Sequence, residues 1–187
     1  MIEQISQKVL VLPGYMNSGE GHWQTRWESL HAGFERVRMP DWDHPVRDAW
    51  CRALEAAVAA SDGPVALAAH SLGCLTVAFW ASQYASAASR AKVAGALLVA
   101  VPDPAGKEFP QDAIGFAPVP LEPLPFPAVV VASTDDPYGG VPFSQACAAA
   151  WGSRWRGIGA RGHINADSGL GDWDEGRRWL AQALQGE

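Results

Sequence analysis

The chain has 187 residues, 48% of them hydrophobic and 18% charged, so it can bury one substantial core and is too apolar for a disordered or coiled-coil chain. A formal net charge of −6 gives no basic footprint for nucleic acid. The length predicts a single domain over residues 1–187.

The amino terminus, Met1 to Lys8, lacks the basic segment and apolar run of a signal peptide. Lys8 to Leu12 (K-V-L-V-L) reads as a buried strand ending at Pro13-Gly14. A helix is predicted over Trp23 to Ala32 and a second strand over Phe34 to Met39. Pro45 to Ala60 carries Val46, Trp50, Leu54, Ala57 and Val58 at helical spacing, with Pro45 suited to the first turn. Pro64 to Ala69 is a third strand and Leu72 to Ala87 a small-residue helix. Val93 to Val101 is a fourth strand, apolar nearly throughout, as expected when both faces of a parallel sheet are covered. This run is too short to span a bilayer. After a proline-rich stretch from Pro102 to Pro127 come a strand (Ala128 to Ala132), a helix (Val141 to Trp151), a strand (Arg154 to Ile158) and a last helix (Asp172 to Leu184). Strands alternating with helices predict an α/β domain with a mostly parallel sheet. The long loop is expected over the carboxyl ends of the strands, where such sheets bind ligands.

The strongest chemical signal is Ala68-Ala69-His70-Ser71-Leu72-Gly73. An apolar strand runs into a serine flanked by small residues and then into a helix, the context of a nucleophile elbow. Its first glycine position holds Ala69. A serine nucleophile needs a base, and the base needs an acid that orients it. His163, in G-A-R-G-H-I-N, is the only histidine downstream of Ser71. For the acid, Asp136 in S-T-D-D-P is favoured, with Asp135 and Asp103 as alternatives; Asp135 suits a turn-capping role. The oxyanion donors are expected to be the amides of Leu72 and Tyr15, the latter after the turn at Gly14. Gly14, His22 and Trp23 are candidate pocket residues. His70 is expected to pack structurally, and Cys74 to be a small buried residue.

Cys51, Cys74 and Cys147 are widely spaced and odd in number, which argues against a disulfide framework or a cysteine zinc site. The histidines lack H-x-x-x-H spacing, and G-K-[ST] is absent. No metal and no cofactor are predicted.

V-L-P-G-Y with Asn17-Ser18 and His22-Trp23, then A-H-S-L-G, S-T-D-D-P and R-G-H-I-N, resembles the small capless α/β-hydrolases of the retinoblastoma-binding-protein-nine type. The resemblance spans nearly the whole chain. It implies a three-layer α/β-hydrolase fold, with a sheet of about six parallel strands in the order 2-1-3-4-5-6, helices on both faces and no lid domain. It also implies the triad Ser71, Asp136 and His163, favouring Asp136 over Asp135. The expectation is a cytoplasmic serine hydrolase, a monomer or weak homodimer, acting on a small-molecule ester, thioester or amide. Nucleic acid and membrane are not expected partners. The alternatives are a non-catalytic interaction module on the same fold, or an acyltransferase with the same triad. The pocket roof is expected from the Tyr15 to His22 loop, the Pro102 to Pro127 loop and nearby tryptophans.

Overall fold

The apolar runs assemble into one parallel sheet in the structure, a computed structural model that describes residues 5–186. The signal-peptide reading falls partly on residues 1–4, outside the described residues. The strands are β1 (Lys8–Leu12), β2 (Phe34–Arg36), β3 (Val65–His70), β4 (Val93–Val99), β5 (Ala128–Ala132) and β6 (Arg154–Gly157). They lie in the order β2-β1-β3-β4-β5-β6, with every neighbouring pair parallel. The helices are α1 (Trp23–Leu30), α2 (Arg47–Ala59), α3 (Leu72–Phe79), α4 (Ala87–Lys92), α5 (Val141–Ala150) and α6 (Asp174–Gln185). No helix among the described residues is long and apolar enough to cross a membrane.

Side chains alternate across the sheet and feed two cores. Leu10, Leu12, Leu67, Leu98 and Val130 meet Trp50, Leu54 and Cys147 of α2 and α5 on one face, where α3 is buried at every residue. Val9, Val11, Ala68, Val99 and Val131 meet Trp23 and Trp27 of α1 and Leu180 of α6 on the other. The strand order reverses between β1 and β3, so their carboxyl ends diverge and leave a crevice.

Two predicted elements are corrected. The second strand stops at Arg36: Val37 donates a last bond to the Val11 carbonyl, and β1 ends one residue later. The single helix predicted over Leu72 to Ala87 is broken. After α3 the chain widens into a π-helical turn at Trp80–Tyr84, and α4 starts anew with Ser86 as its cap. Glu55 of α2 explains the break, because its carboxylate accepts from Trp80 Nε1 at 2.7 Å, Ser89 Oγ at 2.8 Å and Ser86 N at 3.3 Å.

Gly73 makes the tight approach of α3 to β1 possible. A Cβ there would stand 2.4 Å from the Leu12 carbonyl oxygen and 3.0 Å from that of Pro13. Gly73→Ala must push helix and strand apart. We expect a loss of about 1–3 kcal/mol or more, read as a lowered thermal midpoint; an unchanged midpoint would contradict this packing.

Candidate active site

Ser71 sits between β3 and α3 at φ 53° and ψ −124°, a conformation that costs a non-glycine residue about 1–3 kcal/mol. The turn is held from both sides: Ser71 N donates to the Val99 carbonyl and Cys74 N to the Ser71 carbonyl, each at 2.8 Å. Gly14 lies directly beneath, where a Cβ would be 2.7 Å from Ser71 Cβ. Only glycine lets the loop after β1 approach the serine so closely.

His163 Nε2 stands 2.8 Å from Ser71 Oγ, and His163 Nδ1 stands 2.9 Å from both Asp136 carboxylate oxygens. The Asp136 side chain is 1% exposed, and its Oδ1 also accepts from Tyr138 N at 2.9 Å. The three groups form an unbroken hydrogen-bonded line, although their chain positions lie far apart. Asp135 lies off that line. Its Oδ1 accepts from Ser133 Oγ and Gly162 N, both at 2.7 Å, which ties the end of β5 to the His163 loop. Those two bonds, the Ser133 one foremost, hold its carboxyl below the usual carboxylate range. The Asp103 carboxylate accepts from Ala105 N, and its carbonyl from Gly106 N, each at 2.9 Å, so it turns its own loop.

Tyr15, in the loop after β1, and Leu72, the first residue of α3, line the same cleft as Ser71. Met16 and Asn17 in this loop have positive φ (62° and 66°), so it needs external support. Arg36 of β2 supplies it, donating to Asn17 Oδ1 at 2.9 Å, the Ser18 carbonyl at 3.0 Å and Thr25 Oγ1 at 2.7 Å. Its remaining bonds go to the Glu28 carboxylate. Gln24 adds a second support. Fully buried, it donates through Nε2 to the Leu12 and Ala68 carbonyls, both at 3.0 Å, and accepts from Ser18 Oγ at 2.7 Å. It satisfies the carbonyls left open where β1 and β3 part. Sequence reasoning missed both residues. The available signal for Gln24 was a polar residue on the buried, tryptophan-rich face of α1.

His22 lines the cleft and caps α1, its Nδ1 accepting from Gln24 N at 3.1 Å. That bond leaves the neutral ring's proton on Nε2, which has no hydrogen-bond partner among the described residues. Burial, and then the charges of Arg36 and His163, lower the His22 pKa to about 3. Burial likewise puts His70 well below its ordinary 6.5, with His22 and His163 adding to the shift. Both imidazoles take up protons more readily in the unfolded chain. The stability they contribute is therefore present above pH 6.5 and lost as pH falls through the window down to about 3. Melts between about pH 7 and 4 should show a falling midpoint, and His22→Asn, which keeps an N-cap acceptor, should flatten the fall. Parallel curves for the two chains would contradict this.

Burial raises the thiol of Cys74 well above its ordinary value and those of Cys51 and Cys147 to about 12, so none supplies a ready thiolate near Ser71. All three cysteines are free. No three His, Cys, Asp or Glu side chains converge as metal ligands among the described residues.

The cleft above Ser71 has a volume of about 310 Å³. The expected roof is corrected in two respects. No tryptophan lines the cleft, and Trp23 lies behind it, 1% exposed. Of the Pro102 to Pro127 loop, only Pro102 and Glu108 to Pro110 reach the cleft. The remainder runs down the flank, where Phe116 packs edge-on against Trp50 and Phe79, and Trp151 Nε1 donates to the Pro120 carbonyl at 2.8 Å. Burying Phe116 and Phe126 outweighs any tendency of the loop to cover the strand ends.

A parallel sheet in this order, with a strained serine at its switch point, defines an α/β-hydrolase. Residues 9–182 match the family described as serine hydrolase, and the chain belongs to that family. A protein described as a YdeN-like hydrolase from Pectobacterium atrosepticum superposes with a TM-score of 0.81 at 30% identity, over 96% of this chain and 91% of that one. The ydeN gene product of B. subtilis gives 0.63 at 20% identity, over 88% and 91%. An esterase from Thermogutta terrifontis gives 0.68 at 18% identity, over 95% and 90%. The last two likenesses are of fold. No curated protein matches the chain in sequence.

Proposed function

We propose that the protein hydrolyses small carboxylic esters, thioesters or amides through an acyl-enzyme on Ser71. The observation that carries this reading is the hydrogen-bonded line from Ser71 Oγ through His163 to the buried Asp136 at the foot of a cleft. His163 Nε2 takes the Ser71 proton as Oγ bonds to the substrate carbonyl carbon. The carbonyl oxygen becomes an oxyanion between the Tyr15 and Leu72 amides. Asp136 keeps the His163 proton on Nδ1 and balances the imidazolium. The bond to the leaving group then breaks, and the leaving atom takes the proton from Nε2. Water enters and gives a proton to His163 Nε2 as its oxygen bonds to the acyl carbon; the bond from that carbon to Oγ then breaks, Oγ takes the proton from Nε2, and the acid leaves.

Tyr15, Met16, Phe109, Pro110 and Tyr138 give the cleft a mainly apolar lining, and its volume of about 310 Å³ suits a compact group. A graded series of nitrophenyl esters tests this. The highest kcat/KM is expected for acyl chains of about two to eight carbons. A maximum at palmitate would refute the compact-substrate reading, and absence of turnover across the series would refute ester hydrolysis.

A further inference from the structure

We propose that His70 and Trp23 form a two-donor clamp that positions the base His163 against Ser71. The inference rests on the proposed role of His163 and goes beyond it, because neither residue belongs to the triad or the oxyanion site.

The loop carrying His163 is conformationally unfavourable alone. Gly162 and Ile164 on either side have φ of 55° and 49°, and Ile164 is β-branched, for which the left-handed region is a poor choice. Two buried donors hold its consecutive carbonyls. His70 Nε2–H donates to the His163 carbonyl at 2.8 Å, and Trp23 Nε1–H donates to the Ile164 carbonyl at 3.0 Å. His70 is 5% exposed and Trp23 1% exposed. The His70 ring also packs edge-on between His22 and His163, with centroids 4.6 and 4.9 Å away. Trp23 is wedged against Trp27 and Trp173, with centroids 4.6 and 5.0 Å away.

The placement of His70 gives the clamp its consequence. His70 is the last residue of β3 and the direct neighbour of Ser71. The donor that grips the base's own backbone is therefore built on the same strand end as the nucleophile. That bond sets the separation between the two loops, and hence the 2.8 Å approach of Nε2 to Oγ. Displacements of a reacting group by about 1 Å can cost about a hundredfold in rate. Trp23 prevents the loop from pivoting about the His70 bond. This accounts for two sequence features that the triad leaves unused, the histidine preceding the serine and the His22-Trp23 pair.

The test compares His70→Phe, which keeps a flat ring but no donor, with His70→Gln, which restores an N–H at similar reach. For His70→Phe we expect kcat on a short nitrophenyl ester to fall by about 10- to 100-fold with KM little changed, and for His70→Gln to recover most of it. The downfield proton resonance of His163 Nδ1–H, identified by its loss in His163→Ala, should stay sharp in wild type and His70→Gln and broaden in His70→Phe. Wild-type kcat and a sharp resonance in His70→Phe would overturn the clamp. So would equal impairment of the Phe and Gln variants. If His70→Phe does not fold, Trp23→Phe is measured in the same way, and wild-type values there are equally fatal. A wild-type chain without ester turnover would refute the proposed function, while the proton resonance would still decide the clamp.

Discussion

Ser71→Ala is expected to lower turnover of a short ester by about four to six orders of magnitude while the fold persists. Alanine removes Oγ, the only atom of residue 71 that His163 Nε2 contacts by hydrogen bond. No neighbour can replace it, since the nearby Cys74 thiol is fully buried, kept protonated by burial and engaged with the Val99 carbonyl at 3.3 Å. The rest of the elbow loses nothing: Ser71 N still donates to Val99 and the Ser71 carbonyl still accepts from Cys74. Alanine also tolerates the positive φ no worse than serine, so the melting midpoint should move little. Steady-state kinetics with a parallel melt separate the two effects. Retention of more than about a hundredth of wild-type turnover in a folded variant would remove Ser71 from the chemistry.

The second large effect falls on Asp136. Asp136→Asn should lower kcat about 10⁴-fold with KM nearly unchanged. The amide would donate to Nδ1, placing the ring proton on Nε2, where it blocks acceptance of the Ser71 proton. It would also withdraw the charge that balances the imidazolium. Asp135→Asn is the internal control. Asp135 braces the loop through Ser133 and Gly162 and does not touch the imidazole, so a loss of about tenfold or less is expected. Equal losses in the two variants would contradict the division of roles between these adjacent carboxylates.

Elements dominated by one physical signal were legible in the sequence. The apolar runs of β1, β3, β4 and β5 and the amphipathic α2 identified themselves, because burial on both faces or on one stripe leaves a clear pattern. Ser71 was legible because a strand, a serine with small neighbours and a helix in succession form a local motif. His163 was legible by elimination as the only downstream histidine. Asp136 was not separable from Asp135 and Asp103 on spacing alone, since the choice depends on which carboxylate the β5 turn directs at the imidazole. The break after α3 was hidden because Glu55, which causes it, is supplied by another helix. Trp23 is close in sequence to the oxyanion loop, which suggests a pocket wall, but the rings of His22 and His70 line the cleft in front of it, and its indole serves the His163 loop from behind. The proline-rich loop resembles a roof in sequence because its two anchors on the flank, Phe116 and Phe126, give no periodic signal.

The most direct measurement is treatment of the wild-type protein with a fluorophosphonate, followed by peptide mapping of the adduct. The account predicts one phosphonyl group, on Ser71, formed quickly in wild type and slowed in Asp136→Asn. A folded protein that stays unmodified, or that carries the adduct on a residue other than Ser71, would contradict it.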